Sequence, residues 1–138
     1  MKVALYVRVS LDEKDPTKKR YQNPDNQLIP LREYAESRGW EPIEFIEKSS
    51  GGSNRPIFQD MLNRAMKWEF RGILFYSFDR FSREGILDTL SYIKRMKSRG
   101  IWLKSLKEEW FDTDGPFTEL MLAMFAWFAE FERKKISS

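Results

Sequence analysis

The chain has 138 residues, 41% hydrophobic and 15% aromatic, which suits one domain with a real core and is too apolar for a disordered segment. It contains neither cysteine nor histidine, which excludes a disulfide framework, a thiolate nucleophile, a Ser-His-Asp triad and any Cys or His metal site. Lys+Arg 24 against Asp+Glu 21 leaves only +3, so contact with nucleic acid has to come from local clustering of cations.

Lys2 to Val9 reads as a strand, nearly continuous in apolar and β-branched residues around Arg8. Such a run suits a strand covered on both faces of a parallel sheet. It leads into Ser10, and open α/β sheets take their ligands at the carboxyl ends of their strands. Arg8 and Ser10 are two residues apart, so the period of a strand aims both to one side. A guanidinium beside a hydroxyl invites an anion, most simply a phosphate. Leu11 to Gln22 is a polar loop whose Lys18-Lys19-Arg20 is read as a solvated basic run. Asn23-Pro24-Asp25 then starts a helix, with Asn as its cap and Pro in its first turn, and Gly39 stops it. Pro30 should bend its first turns or delay regular helix. Leu28, Leu31 and Tyr34 or Ala35 form its inward stripe, and Gln27 sits near its start.

Pro42 to Glu47 is the second predicted strand. The tract Ser49 to Arg55 follows; its Gly51-Gly52 lacks the spacing of a Walker loop and reads as a flexible connection, with Arg55 at its exit able to reach an anion at the sheet edge. Pro56 opens a helix whose apolar face is Phe58, Met61, Leu62, Ala65 and Met66. Gly72 to Ser77 is the third strand, running into Asp79-Arg80-Phe81-Ser82-Arg83 and a helix to about Arg99. Arg80 and Arg83 are three apart near a helix start, on roughly one face, where two cations need an anion or a carboxylate such as Asp79. Ile101 to Leu106 is the fourth strand, and Asp114-Gly115-Pro116 opens the last helix.

That helix is apolar over a wide arc. Phe117, Leu120, Met121, Met124, Phe128 and Phe131 fall on one face, predicted to point inward. Leu122 and Phe125 widen it on one side and Trp127 on the other. A single sheet rarely covers so broad an arc, so Leu122, Phe125, Trp127 and Phe128 are the candidates for an interface with a second copy. The expected architecture is α/β: a mostly parallel sheet of four or five strands flanked by helices, with residues 1–115 as one sheet-and-helix unit and 116–138 as the start of a long interface helix.

Four segments, taken together, resemble the catalytic domain of the serine recombinases, the resolvase and invertase family. They are Tyr6-Val7-Arg8-Val9-Ser10, then Gln27, then Ser50-Gly51 with Arg55-Pro56, and finally Asp79-Arg80-Phe81-Ser82-Arg83, with Glu132-Arg133 as a weaker echo. The loop after Ser10 is longer than in compact resolvases, Leu11 replaces a common threonine, and Glu47 stands where an aspartate is usual. The resemblance implies that Ser10 attacks a DNA phosphodiester and is esterified to the 5′-phosphate, after which strand exchange and reversal rejoin the DNA. It implies that Arg8, Arg80, Arg83 and Arg55 hold the phosphate oxygens, that Asp79 orients the arginines or handles the leaving-group proton, and that Gln27 joins the network. Tyr6 and Glu47 would support it, and no residue stands out as general base.

Oxygen-ligated magnesium stays open, but no tight acidic cluster supports it, so neither metal nor cofactor is expected. The implied partners are DNA, bound weakly and without sequence preference by this stretch, and further copies: a homodimer, and a tetramer in the active complex. The family's DNA-recognition region follows the long helix, and no such region is read before Ser138. No leader precedes the first strand and no apolar run spans a bilayer, so the expected setting is soluble, intracellular and cytoplasmic. Two other classes fit the rim less well: a non-catalytic α/β regulatory domain that binds a phosphorylated ligand, and a phosphohydrolase with a seryl intermediate.

Overall fold

The computed structural model describes residues 1–10, 23–49, 55–77 and 86–137. Strands β1 (Lys2–Ser10), β2 (Glu41–Ser49), β3 (Gly72–Phe75) and β4 (Trp102–Ser105) alternate with helices α1 (Asp25–Ser37), α2 (Pro56–Met66), α3 (Ile86–Ser98) and α4 (Thr118–Ser137). The four strands form one sheet in the order β2-β1-β3-β4, and every pair is parallel. The run from Val3 to Val7 is fully buried because helices cover both faces, which is why β1 reads as continuously apolar instead of alternating.

Alternation along β1 divides the core in two. Ala4 and Tyr6 belong to the layer with Phe58, Met61 and Leu62 of α2 and Ile93 and Met96 of α3. Val3, Leu5, Val7 and Val9 belong to the layer with Leu28, Leu31 and Ala35 of α1. Helix α1 begins one residue later than a cap at Asn23 would place it, yet Asn23 Oδ1 still accepts the Asp25 N–H at 3.0 Å. It continues through Pro30 without delay and ends before Gly39, whose φ of +71° needs no Cβ to be accommodated. The free side of β4 is shielded by a return of the chain: Thr113 N–H donates to the Leu103 carbonyl and its hydroxyl accepts the Leu103 N–H.

Helix α4 corrects one expectation. The stripe it buries is Met121, Phe125 and Ala129, four residues apart, with Leu122 partly buried beside it. Phe117, Leu120, Met124, Phe128 and Phe131, assigned to the inward face together with Met121, are exposed instead. Phe125, expected at a shared surface, is 7% exposed and meets the Phe111 ring at 5.9 Å. The reason is that α4 packs chiefly on α3, so a narrow stripe with a small residue at Ala129 suffices for close approach. Among the described residues no helix is long and apolar enough to cross a membrane.

Candidate active site

The strand order places β1, which ends in Ser10, beside β3. From β1 the chain goes outward to β2, then returns across β1 to lay down β3 on its other side. The helices after β1 and β3 therefore lie on opposite faces, and the gap between the two carboxyl ends is where such sheets bind ligands. Ser10 is the last residue of β1, described through its backbone, which pairs with Ser49. Tyr6 pairs with Phe75, and continuing that register brings Arg8 level with Ser77, the last described residue before the Asp79–Arg83 segment. Asp79, Arg80 and Arg83 lie outside the described residues, as do Ser50 to Asn54 and the basic run Lys18-Lys19-Arg20.

Beneath this rim three of the expected side chains, Arg8, Glu47 and Arg55, gather around Tyr6. Arg8 is half-buried and stands beside Glu47 in the β1–β2 register. Glu47 is 2% exposed and accepts the N–H groups of Ile57 (3.3 Å, through Oε2) and Phe58 (3.1 Å, through Oε1). Arg55, at the position capping α2, is 3% exposed, and its guanidinium carbon lies 3.8 Å from the Phe58 ring centre. The Tyr6 ring meets Phe58 edge-on at 5.2 Å, and Tyr92 of α3 meets Phe58 at 5.0 Å. Burial pushes the Tyr6 phenol up to about 12; the Arg55 charge pulls it back, Glu47 raises it further, and Arg8 lowers it. Although Arg55 is this close, the Tyr6 hydroxyl has no hydrogen bond of acceptable geometry among the described residues.

Gln27 serves the site from the other face. In the first turn of α1, its Nε2 donates to the Arg8 carbonyl at 3.1 Å, tying that helix to the end of β1, while its Oε1 is buried with no hydrogen bond among the described residues. The aromatic clamp on Arg55 was not anticipated. Its signal was present in the sequence as an arginine three residues ahead of Phe58 in a first helical turn, a spacing that brings the two side chains together. Among the described residues the rim carries one half-buried cation, Arg8, with Arg55 buried beneath it against Phe58.

The profile of the family described as "Resolvase, N terminal domain" matches residues 3–138. A resolvase of Clostridium perfringens is 28% identical over 135 residues, covering 96% of this chain and 64% of that protein. The Tn501 transposon resolvase of Pseudomonas aeruginosa is 28% identical over 134 residues, 95% of this chain and 62% of that protein. The chain thus spans somewhat less than two thirds of the length of these relatives. Among solved structures, the N-terminal catalytic domain of TP901-1 integrase is 31% identical with a TM-score of 0.76, covering 97% of this chain and 98% of that one. A resolvase family site-specific recombinase from Streptococcus pneumoniae shares the fold at a TM-score of 0.78 and 23% identity, over 99% of this chain and 91% of that one.

Proposed function

The chain belongs to the resolvase N-terminal domain family, as a serine recombinase catalytic domain, and on that premise we propose that Ser10 is the nucleophile of DNA strand cleavage and rejoining. The Ser10 hydroxyl attacks a backbone phosphorus and gives up its proton. The bond from phosphorus to the 3′-oxygen breaks, the 3′-oxygen takes a proton, and the 5′-phosphate remains esterified to Ser10. After strand exchange a 3′-hydroxyl attacks the same phosphorus and releases the serine. The ester bond is conserved throughout, so the cycle needs no ATP. Arg8, Arg55, Arg80 and Arg83 stabilise the phosphate oxygens as charge builds, which is most of what phosphoryl transfer asks of a protein. Asp79 orients the arginines or protonates the leaving oxygen, and Gln27 joins the network by holding the end of β1.

The observation that supports this reading most is the order β2-β1-β3-β4, which sets the end of the Tyr6–Ser10 motif beside the strand that leads into Asp79–Arg83. DNA is the proposed substrate, and residues 116–138 are proposed as the start of a helix shared between copies, through Trp127 and Phe128, in a dimer and then a synaptic tetramer. The test joins the chain to a DNA-recognition module and supplies a duplex bearing paired sites for it. A covalent protein–DNA adduct at the 5′ end of the break is expected, unaffected by EDTA and absent in Ser10→Ala. Adduct formation that survives this substitution would refute the assignment. Arg8→Ala, Arg80→Ala and Arg83→Ala should each slow it by about two orders of magnitude, the scale of losing one preorganised charge stabiliser.

A further inference from the structure

We propose that Glu47 is a positioning residue, which holds Arg55 at the site by fixing the first turn of α2; this rests on the reading of Arg55 as a phosphate ligand. Helix α2 starts without a cap of its own. Arg55, in the capping position, makes no side-chain capping bond, and Pro56 has no N–H to offer. The next two N–H groups, of Ile57 and Phe58, both donate to Glu47, one to each carboxylate oxygen. A buried acid reaching over from β2 therefore replaces the Ser, Thr, Asp or Asn that usually caps a helix, and its charge faces the positive end of the helix dipole.

Two contacts carry that hold outward to Arg55. Glu47 is fixed in the sheet at the level of Arg8, so the first turn of α2 is registered to the strand that ends in Ser10. Phe58, whose N–H is one of the two held, presents its ring to the Arg55 guanidinium at 3.8 Å. That ring is in turn wedged edge-on between Tyr6 and Tyr92, so it cannot swing away while the turn stays in place. Backbone held by the carboxylate and guanidinium held by the ring make one mechanical chain from β2 to Arg55. In this arrangement Glu47 touches no reacting atom; its effect on catalysis passes through Arg55.

NMR of the 138-residue chain reads both links. In the wild type the Ile57 and Phe58 amides should exchange slowly, and the Arg55 side-chain protons should be shifted upfield by the Phe58 ring. Glu47→Gln offers one accepting oxygen in place of two, so exchange at these amides should speed up about tenfold or more and the Arg55 shift should collapse, with the circular dichroism unchanged. Glu47→Asp, one methylene shorter, should do the same to a smaller degree, and it decides the question if the glutamine variant fails to fold. Phe58→Leu should abolish the Arg55 shift with the amides still protected. An Arg55 shift that persists in a folded Glu47 variant, or amides that stay protected in it, would overturn the proposal. None of these readings needs DNA, so a chain without cleavage activity still tests the positioning role. In the adduct assay above, Glu47→Gln should add no further slowing once Arg55 is alanine; additive losses would mean that Glu47 acts by itself.

Discussion

Tyr6 places a buried hydroxyl among the charges of Arg55, Glu47 and Arg8, with no well-aligned hydrogen bond among the described residues. A poorly aligned approach of Arg55 replaces little of the water that the hydroxyl lost, so Tyr6→Phe should leave stability at neutral pH unchanged or raise it by about 1 kcal/mol. Urea unfolding at pH 7 checks this; a clear loss would show that the hydroxyl is bonded to Arg55 after all. The same residue sets a pH dependence. Its phenol sits at about 12 in the folded chain against 10.0 when unfolded, so between these values the folded state keeps a proton that the unfolded state has released. The contribution is complete below pH 10 and is lost as pH rises towards 12. Wild type should therefore lose more stability than Tyr6→Phe between pH 9.5 and 11.5, measured as the difference in urea midpoint.

At the scale of elements, β3 and β4 are in contact through an absent side chain. A Cβ on Gly72 would stand 2.0 Å from Cε2 of Trp102, whose ring in turn meets Trp40 at 5.0 Å. Gly72→Ala should cost about 1–3 kcal/mol in denaturant unfolding, the usual penalty of overpacking, and Trp102→Leu in the same chain should recover much of it. Helix α4 presents the opposite case, with too much apolar surface. Trp110, Phe117, Leu120, Met124 and Phe128 line an open groove of about 410 Å³, floored by Met121 and Phe125. Trp127, 63% exposed, stacks on Phe131 at 5.9 Å and meets Phe128 edge-on at 5.1 Å, both rings of its own helix. Phe125→Arg should unfold the domain, because it puts a charge in the core. Trp127→Arg should keep the circular dichroism of the wild type and sediment as a monomer, whereas wild type should sediment as a concentration-dependent dimer. Each Phe-sized side chain buried contributes about 1.5–3 kcal/mol, so a few suffice for moderate association. Unfolding by Trp127→Arg, or a monomeric wild type at high concentration, would remove this interface.

The whole molecule keeps its chemistry and its sticky surface on different elements. Among the described residues the site candidates come from β1, β2, the start of α1 and the start of α2, while the exposed apolar face belongs to α4. With a net charge of +3 and no broad basic face implied by composition, the isolated chain should bind duplex DNA weakly and without preference for sequence. Its affinity should fall steeply between 50 and 200 mM salt (roughly the range over which phosphate contacts are displaced by counterions), as measured by fluorescence anisotropy. Tight binding to one sequence and not to its scrambled version would place a DNA-reading element inside these 138 residues.

Much was legible from local pattern. The buried parallel strand Lys2–Val9 and the breaks at Gly39 and Pro56 follow from covalent period and backbone preference, which act over a few residues. The family resemblance was legible for the same reason: the residues that carry it form short runs. Tertiary structure decided what depends on partners distant in the chain. That Glu47 caps a helix ten residues on, that Arg55 lies against Phe58, and that Tyr6 is buried beside Arg55 are consequences of how β1, β2 and α2 meet. The turn of α4 is the clearest instance. Its sequence offers two apolar faces of similar strength, and hydrophobicity has no direction of its own; the narrower stripe went inward because Ala129 lets α3 come close.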